Sequence, residues 1–381
     1  MSQSPFFSIL LPTKNRSHLV GYAIRSVLQQ DLADFELIIC DNDDDPDATL
    51  QVVEKYPDPR VKYIRTGGLD MIANWNSALD AATGQHVSVL EDKMIFYAGA
   101  LAAIKALIEA TASGIVVWRT DVIEDEGTNP MLIQQAPSED AVLSSETVLQ
   151  KVVSNVMANW TILPRGLCCS VPRTTIEVIV ERTGQPFYEE VSPDFVSAIK
   201  LLGHIDEYTL AGSIFTLITS NKVSNGKRIS RRKFKDYSYF MGNKKFELQL
   251  EDVYVKSQWI AVNSVIADYL RQRRVLGGRL KNFEVSHRHY FEMLFRDLIV
   301  YSLAEKKVLW DKQEIWQLFS GGDGLIRNVW YAAKSTFAHV STRYFGQNKS
   351  AKGGLKKTVL THEASKAFID DCIATPEAGA H

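Results

Sequence analysis

Short apolar runs alternate with amphipathic stretches through the first 120 residues. Phe7–Leu11 reads as a buried strand that stops at Pro12 and a polar loop, Thr13 to Arg16. Ser17 then opens a helix whose apolar face is Val20, Ala23, Ile24, Val27 and Leu28. Phe35–Cys40 is a second strand, running into the acidic turn Asp41–Asp45, with Pro46 opening the next segment. Val61–Arg65 is a third strand, Asp70–Ala82 a helix closed by Gly84, and His86–Leu90 a fourth strand ending at Glu91-Asp92-Lys93. Ala98–Thr111 continues as helix and Gly114–Thr120 as a fifth strand.

Such alternation predicts a mixed, mostly parallel sheet with right-handed crossovers and helices on both faces. Ligands of these sheets lie beyond the carboxyl ends of the strands. The clusters Thr13–Arg16, Asp41–Asp45 and Glu91–Lys93 each follow such an end, so they should meet on one edge.

Beyond Asp121 the pattern blurs into loops rich in Glu, Asp, Gly and Pro. Gly166–Val171 reads as strand and Arg173–Arg182 as helix. Ser192-Pro193-Asp194 opens a further helix, and Ile205–Leu210 and Ser213–Ile218 read as two strands. Lys222–Lys235 carries seven Lys/Arg and no acid. Helical periodicity then dominates, in Val253–Arg271, Phe283–Leu303 and Leu325–Phe337. This divides the chain into an α/β unit over 1–245, a helical region over 246–348 and a loose tail over 349–381. Within the first unit, 1–120 and 121–220 form two halves, followed by a basic loop over 222–235.

Composition changes the picture only by exclusion. The 381 residues are 45% hydrophobic and 23% charged, with 43 basic against 45 acidic side chains, which is globular and near neutral. No global basic field points to nucleic acid. No apolar run reaches the roughly 18 residues of a spanning helix, and the start lacks a basic leader region, so a cytoplasmic chain is expected. Cys40, Cys168, Cys169 and Cys372 form no C-x-x-C pair and read as reduced thiols. Neither G-x-G-x-x-G nor GxxxxGK[ST] occurs, which weighs against hydride transfer and NTP hydrolysis.

Three stretches carry a family resemblance. FSILLPTKNR resembles the opening strand and loop of family-2 glycosyltransferases, which have the GT-A fold. ELIICDNDDDPDAT resembles their second strand, and GGLDMIANWNSALDAATGQHVSVLEDK their central segment with its acidic metal motif. SPDFVSAIKLLG resembles the acceptor-side segment of bacterial members.

The resemblance implies an inverting transfer of a sugar from a nucleotide-diphosphate donor to a hydroxyl of a polysaccharide or glycolipid. Pro12, Thr13, Arg16, Asp41, Asn76, Glu91 and Asp92 would bind the donor. On a helix Asn74 and Asn76 point about 200° apart, so only one faces the ligand, and the family pattern favours Asn76. Asp194 would be the general base, with Glu189 and Glu190 as competitors.

The acidic triplet departs from the family's usual Asp-x-Asp, because Lys93 stands at its last position. Three readings stand open. Asp92 alone tethers Mg²⁺ or Mn²⁺, or the Lys93 ammonium neutralises the diphosphate in the metal's place, or the site is degenerate in a non-catalytic binding or scaffold protein. A sugar nucleotidyltransferase is a weaker alternative, since PTKNRSH lacks the glycines of that class. Lys222–Lys235 is a candidate contact for a membrane surface or lipid-linked acceptor, which would make the protein peripheral to the membrane. The C-terminal helices are a candidate homo-oligomer interface.

Overall fold

The structure is a computed structural model. It describes residues 4–155, 159–189, 191–225, 253, 261–304, 316, 327, 329–331, 333–334 and 355–374. In chain order the strands and helices begin with β1 (Phe7–Thr13), α1 (Ser17–Leu28), β2 (Phe35–Asp41), α2 (Leu50–Val53), β3 (Val61–Arg65) and α3 (Met71–Asp80). Next come β4 (His86–Val89), β5 (Met94–Phe96), α4 (Ala100–Ala110), β6 (Val116–Glu124), β7 (Met131–Gln134) and β8 (Ala141–Ser144). They are followed by α5 (Ser145–Asn155), β9 (Cys169–Pro172), α6 (Arg173–Thr183), α7 (Pro193–His204) and β10 (Glu207–Ile218). The last are α8 (Ala261–Leu276), α9 (His287–Ala304), β11 (Lys356–Val359) and α10 (His362–Ile373).

One mixed sheet organises the α/β part, in the order β11-β7-β6-β9-β4-β1-β2-β3. β3, β2, β1 and β4 are parallel, and the sheet turns antiparallel at β9. β10 lies off this path, parallel to β6 and antiparallel to β5 and β8. The mixed sheet flanked by helices, followed by a helical C-terminal region, is the expected architecture. All seven residues of β1 and of β2 are buried, as strands covered by helices on both faces must be. Gly84, in the turn before β4, could not be any other residue without displacement. A Cβ there would lie 2.7 Å from both the amide nitrogen and Oγ of Ser8.

Several expected boundaries shift. Ile205–Leu210 and Ser213–Ile218 are one strand, β10, whose register against β6 slips between Leu210 and Thr216. An irregular ladder lets a single strand read as two. The strand expected over Gly166–Val171 begins only at Cys169, because Cys168 has φ 55°, in the left-handed region. The expected loose tail is corrected over 355–374. There β11 pairs with β7, and α10 lays Ile369 and Ile373 against Ile95, Ile123, Leu132 and Leu217. The tail's few apolar residues have no alternation that marks them as sheet partners until the edge of β7 is present.

The helical region packs back on the α/β part: α8 against α7, and α9 against α5. No helix among the described residues is long and apolar enough to cross a membrane.

Candidate active site

The register of the parallel strands brings the polar clusters together. Thr13 pairs with Asp41, and Asp41 with Arg65, so three strand ends stand level. The Leu90 amide continues the ladder by donating to the Leu10 carbonyl (2.8 Å), which carries Glu91 and Asp92 to the same edge. A cavity of about 440 Å³ opens there. Its lining includes Pro12, Thr13, Arg16, Asn74, Glu91 and Asp92.

The two oxygens of Asp92 are both engaged. Thr13 donates from Oγ1 to Oδ2 (3.0 Å), and Arg16 donates from Nη1 to Oδ1 (3.0 Å). Arg16 also donates to the Val223 carbonyl (2.8 Å), so the start of the basic run reaches across the cavity mouth. Burial works against the Arg16 charge, but Asp92 and Glu91 outweigh it, and the guanidinium is held still more firmly protonated than usual. Lys93 is buried behind Glu91, its Nζ 3.4 Å from Oε2, and its carbonyl accepts from the Thr219 amide (2.8 Å). It does not line the cavity, whereas Lys14 does.

Asp41 also stands behind the wall. It is fully buried, accepts from the Tyr63 hydroxyl (2.7 Å) and the Asp43 amide (2.8 Å), and has Arg65 3.5 Å away. Its neighbour Asn42 lines the cavity instead, exchanging hydrogen bonds with the Leu69 backbone at 2.6 and 3.0 Å.

Of the two asparagines of α3, Asn74 and not Asn76 lines the cavity. Asn74 faces the cavity, accepting from Thr66 Oγ1 (2.6 Å) and donating to the Cys40 carbonyl (3.2 Å). Asn76 points the other way and donates to the Tyr188 carbonyl (2.9 Å), tying α3 to the segment ahead of α7. Helical geometry showed that one of the two must turn away, but which one depends on how α3 is rotated against β1 and β2. Lys14, Asn42 and Asn225 also line the cavity. Lys14 and Asn42 could have been found from their places beside the strand ends, but no sequence signal marks Asn225.

Asp194 sits in the first turn of α7, with Arg165 Nη1 donating to its Oδ2 (2.8 Å). Burial raises the Asp194 proton affinity, Arg165 opposes that, and Glu91 adds to it, leaving the group above the ordinary carboxylate range. Arg165 was not legible as a site residue, since it lies in a loop with no motif. Glu189 is taken up elsewhere, enclosed by Lys200, by Arg271 (2.8 Å) and by Gln272 (3.5 Å). Glu190 and the basic run beyond Asn225 lie outside the described residues.

A divalent cation, which the resemblance implies, finds a poor fit. Asp92 is already bound through both oxygens, Glu91 faces Lys93, and the described residues hold no cluster of three His, Cys, Asp or Glu side chains. A cation there would have to displace Arg16.

These strand-end acids and cations are the parts a nucleotide-sugar site needs. Residues 8–163 match the Glycosyl transferase family 2 model. The matched segment runs from β1 to just past a short turn at Trp160–Ile162, so it contains the whole cavity wall except Asn225. A Campylobacter jejuni protein named GalNAc(5)-diNAcBac-PP-undecaprenol beta-1,3-glucosyltransferase is 33% identical over 127 residues, 32% of this chain and 40% of its own. An Escherichia coli protein, UDP-Glc:alpha-D-GlcNAc-diphosphoundecaprenol beta-1,3-glucosyltransferase WfgD, is 33% identical over 95 residues, 25% of this chain and 37% of its own. The chain thus spans well under half the length of these curated relatives. A crystal structure of S. aureus TarS 1–349 in complex with UDP-GlcNAc superposes with a TM-score of 0.47 at 16% identity, covering 93% of this chain and 97% of that one. That likeness is too distant to assign anything to this chain.

Proposed function

We propose that the protein is an inverting glycosyltransferase that moves a sugar from a nucleotide-diphosphate donor onto an acceptor hydroxyl. The observation that carries this reading is the convergence of the β1, β2 and β4 ends on one cavity, with Asp194 within electrostatic reach of Glu91. The nucleoside end of the donor lies against Pro12, Thr13, Asn42 and Asn74. Asp41 shapes that end from behind, through Tyr63 and the Asp43 amide.

Arg16 and Lys14 meet the diphosphate, and Lys93 adds its charge from behind Glu91. Two cations at the partly buried cleft, with Lys93 behind its wall, stabilise the departing diphosphate without a metal tether, because the low local dielectric strengthens each pairing. Asp194 takes the proton from the acceptor hydroxyl as its oxygen bonds to the anomeric carbon and the nucleoside diphosphate leaves from the opposite face. Burial makes Asp194 a stronger base than a solvated carboxylate, and the Arg165 contact orients it.

The acceptor is a glycan or glycolipid. The names of the two relatives, both acting on undecaprenol diphosphate-linked sugars, favour a lipid-linked one, met at the inner membrane surface by a peripheral protein with the Lys222–Lys235 run as its contact. A screen of UDP-, GDP-, dTDP- and CMP-sugars by thermal shift and donor hydrolysis, with EDTA or Mn²⁺, tests the proposal. Stabilisation and slow hydrolysis of one donor class are expected, with UDP-glucose the first to try. No response to any donor would refute the transferase reading, and hydrolysis abolished by EDTA would refute its metal-independent form.

A further inference from the structure

The helical region carries a surface that the proposed transfer does not use. Residues 327, 329–331, 333 and 334 are helical, and all but Tyr331 are exposed. Tyr331 is buried, with the His287 ring of α9 6.3 Å away, so it marks the inner side of this helix. At about 100° per residue, Val329, Ala333, Trp330, Lys334 and Arg327 follow one another round an outer arc of roughly 160°. The order along that arc is apolar, then aromatic, then basic. Val329 is 48% and Trp330 53% exposed, close together on the arc, so they form a patch and not scattered residues. Lys334 Nζ lies 5.3 Å from the centre of the Trp330 ring, so cation and indole share the surface.

The charge around this face is largely of one sign. Arg288, Glu292 and Arg296 of α9 are spaced four apart and share one side of that helix. Lys334 donates to Glu292 Oε1 (2.7 Å), which sets that side beside the arc. Arg288 also donates to Glu292 (3.1 Å), so the carboxylate is held by two cations. Arg288 and Arg296 are exposed. Among the described residues, these two helices thus present Arg288, Arg296, Arg327 and Lys334 around Glu292. The sequence extends the bias, since 324–362 holds seven Lys/Arg and no Asp or Glu. Cations beside exposed Trp and Val fit a lipid–water interface, where indole lies at headgroup depth and Lys and Arg meet phosphate. A nucleic acid would engage the cations and leave Val329 in water. A second copy meeting this face with its own would set like charges against each other.

We propose that this face of the helical region rests on an anionic phospholipid bilayer, with Trp330 as its anchor and Arg327 and Lys334 on the lipid phosphates. The contact is separate from Lys222–Lys235. Its purpose, holding the protein where a lipid-linked acceptor is found, rests on the transferase reading, but the binding is measured apart from it. The full chain is sedimented with vesicles of phosphatidylcholine, with and without phosphatidylglycerol. Binding is expected on the anionic vesicles and little on the neutral ones. Affinity for the anionic vesicles should fall about tenfold in Trp330→Ala, and about tenfold in the double variant Arg327→Gln/Lys334→Gln. Donor hydrolysis in solution should be unchanged in both. Should Trp330→Ala fail to fold, Trp330→Phe keeps an aromatic ring there. Bromine on the acyl chains should quench tryptophan emission less in Trp330→Phe than in the parent chain. No vesicle binding, equal binding to both vesicle types, or equal binding by all the folded variants overturns the proposal. A dimer in lipid-free solution that Trp330→Ala dissociates also overturns it, giving the face to a second copy. Donor hydrolysis without vesicle binding would sink this surface alone, and vesicle binding without any donor response would sink the transferase reading and keep the surface.

Discussion

The helical region acts on the proposed base through one carboxylate. Asp268, buried on α8, accepts from the backbone amides of Val191 (2.7 Å) and Ser192 (2.9 Å), just ahead of Pro193 and Asp194. Replacing Asp268 by Ala leaves two buried amides without an acceptor, at roughly 1–3 kcal/mol each. Asn keeps one acceptor and turns an NH₂ towards the other amide, so it should cost about half as much. The loss is local, so hydrogen exchange of the 187–197 segment should rise by roughly one and a half to four orders of magnitude in Asp268→Ala, at about 1.4 kcal/mol per tenfold. The turnover number should fall with it, while donor affinity stays put, because the donor cavity has no residue from α8. Titration offers an independent check. Burial pushes the Asp268 carboxyl up from 3.8 to about 7, against the lowering effect of the two amides and Arg271. Between those values the folded protein holds a proton that the unfolded chain has lost, so this group's contribution to stability falls as pH rises through the window. Asp268→Asn should lack that slope. Unchanged exchange over 187–197 and an unchanged turnover number in both variants would refute the coupling.

Further outcomes follow from the same geometry. Asp194→Asn should lower transfer by roughly 10²–10⁴-fold with donor binding retained, and full activity would remove Asp194 as the base. Arg16→Ala should weaken the donor dissociation constant about tenfold, the scale of one charge-assisted contact, measured by calorimetry. Deleting residues 355–381 uncovers Ile95, Ile123, Leu132 and Leu217 and should lower the urea midpoint, with dye binding to the exposed patch. Gly84→Ala should destabilise by about 1–3 kcal/mol, since its Cβ must displace the Ser8 backbone.

Much of the site was legible because it depends on local order. Apolar runs ending in polar clusters set β1, β2 and β4 and placed Thr13, Arg16, Glu91 and Asp92 on one edge, since parallel strands necessarily present their carboxyl ends together. The Asp194 helix start was visible in Ser192-Pro193, as proline favours the first helical turn. Other features depended on contacts between distant segments. Asn74 rather than Asn76 faces the cavity because α3 packs at one particular rotation. Arg165 meets Asp194 only when the loop before β9 crosses beside α7. Asp41 looks like a ligand in the sequence, but Tyr63 and Arg65 from the next strand enclose it. The tail becomes strand and helix only against the finished edge of β7. Periodicity records which face of an element avoids water, and that is a property of each segment alone. Which charge meets which is decided by side chains far apart in the chain, and only the folded packing brings them within reach.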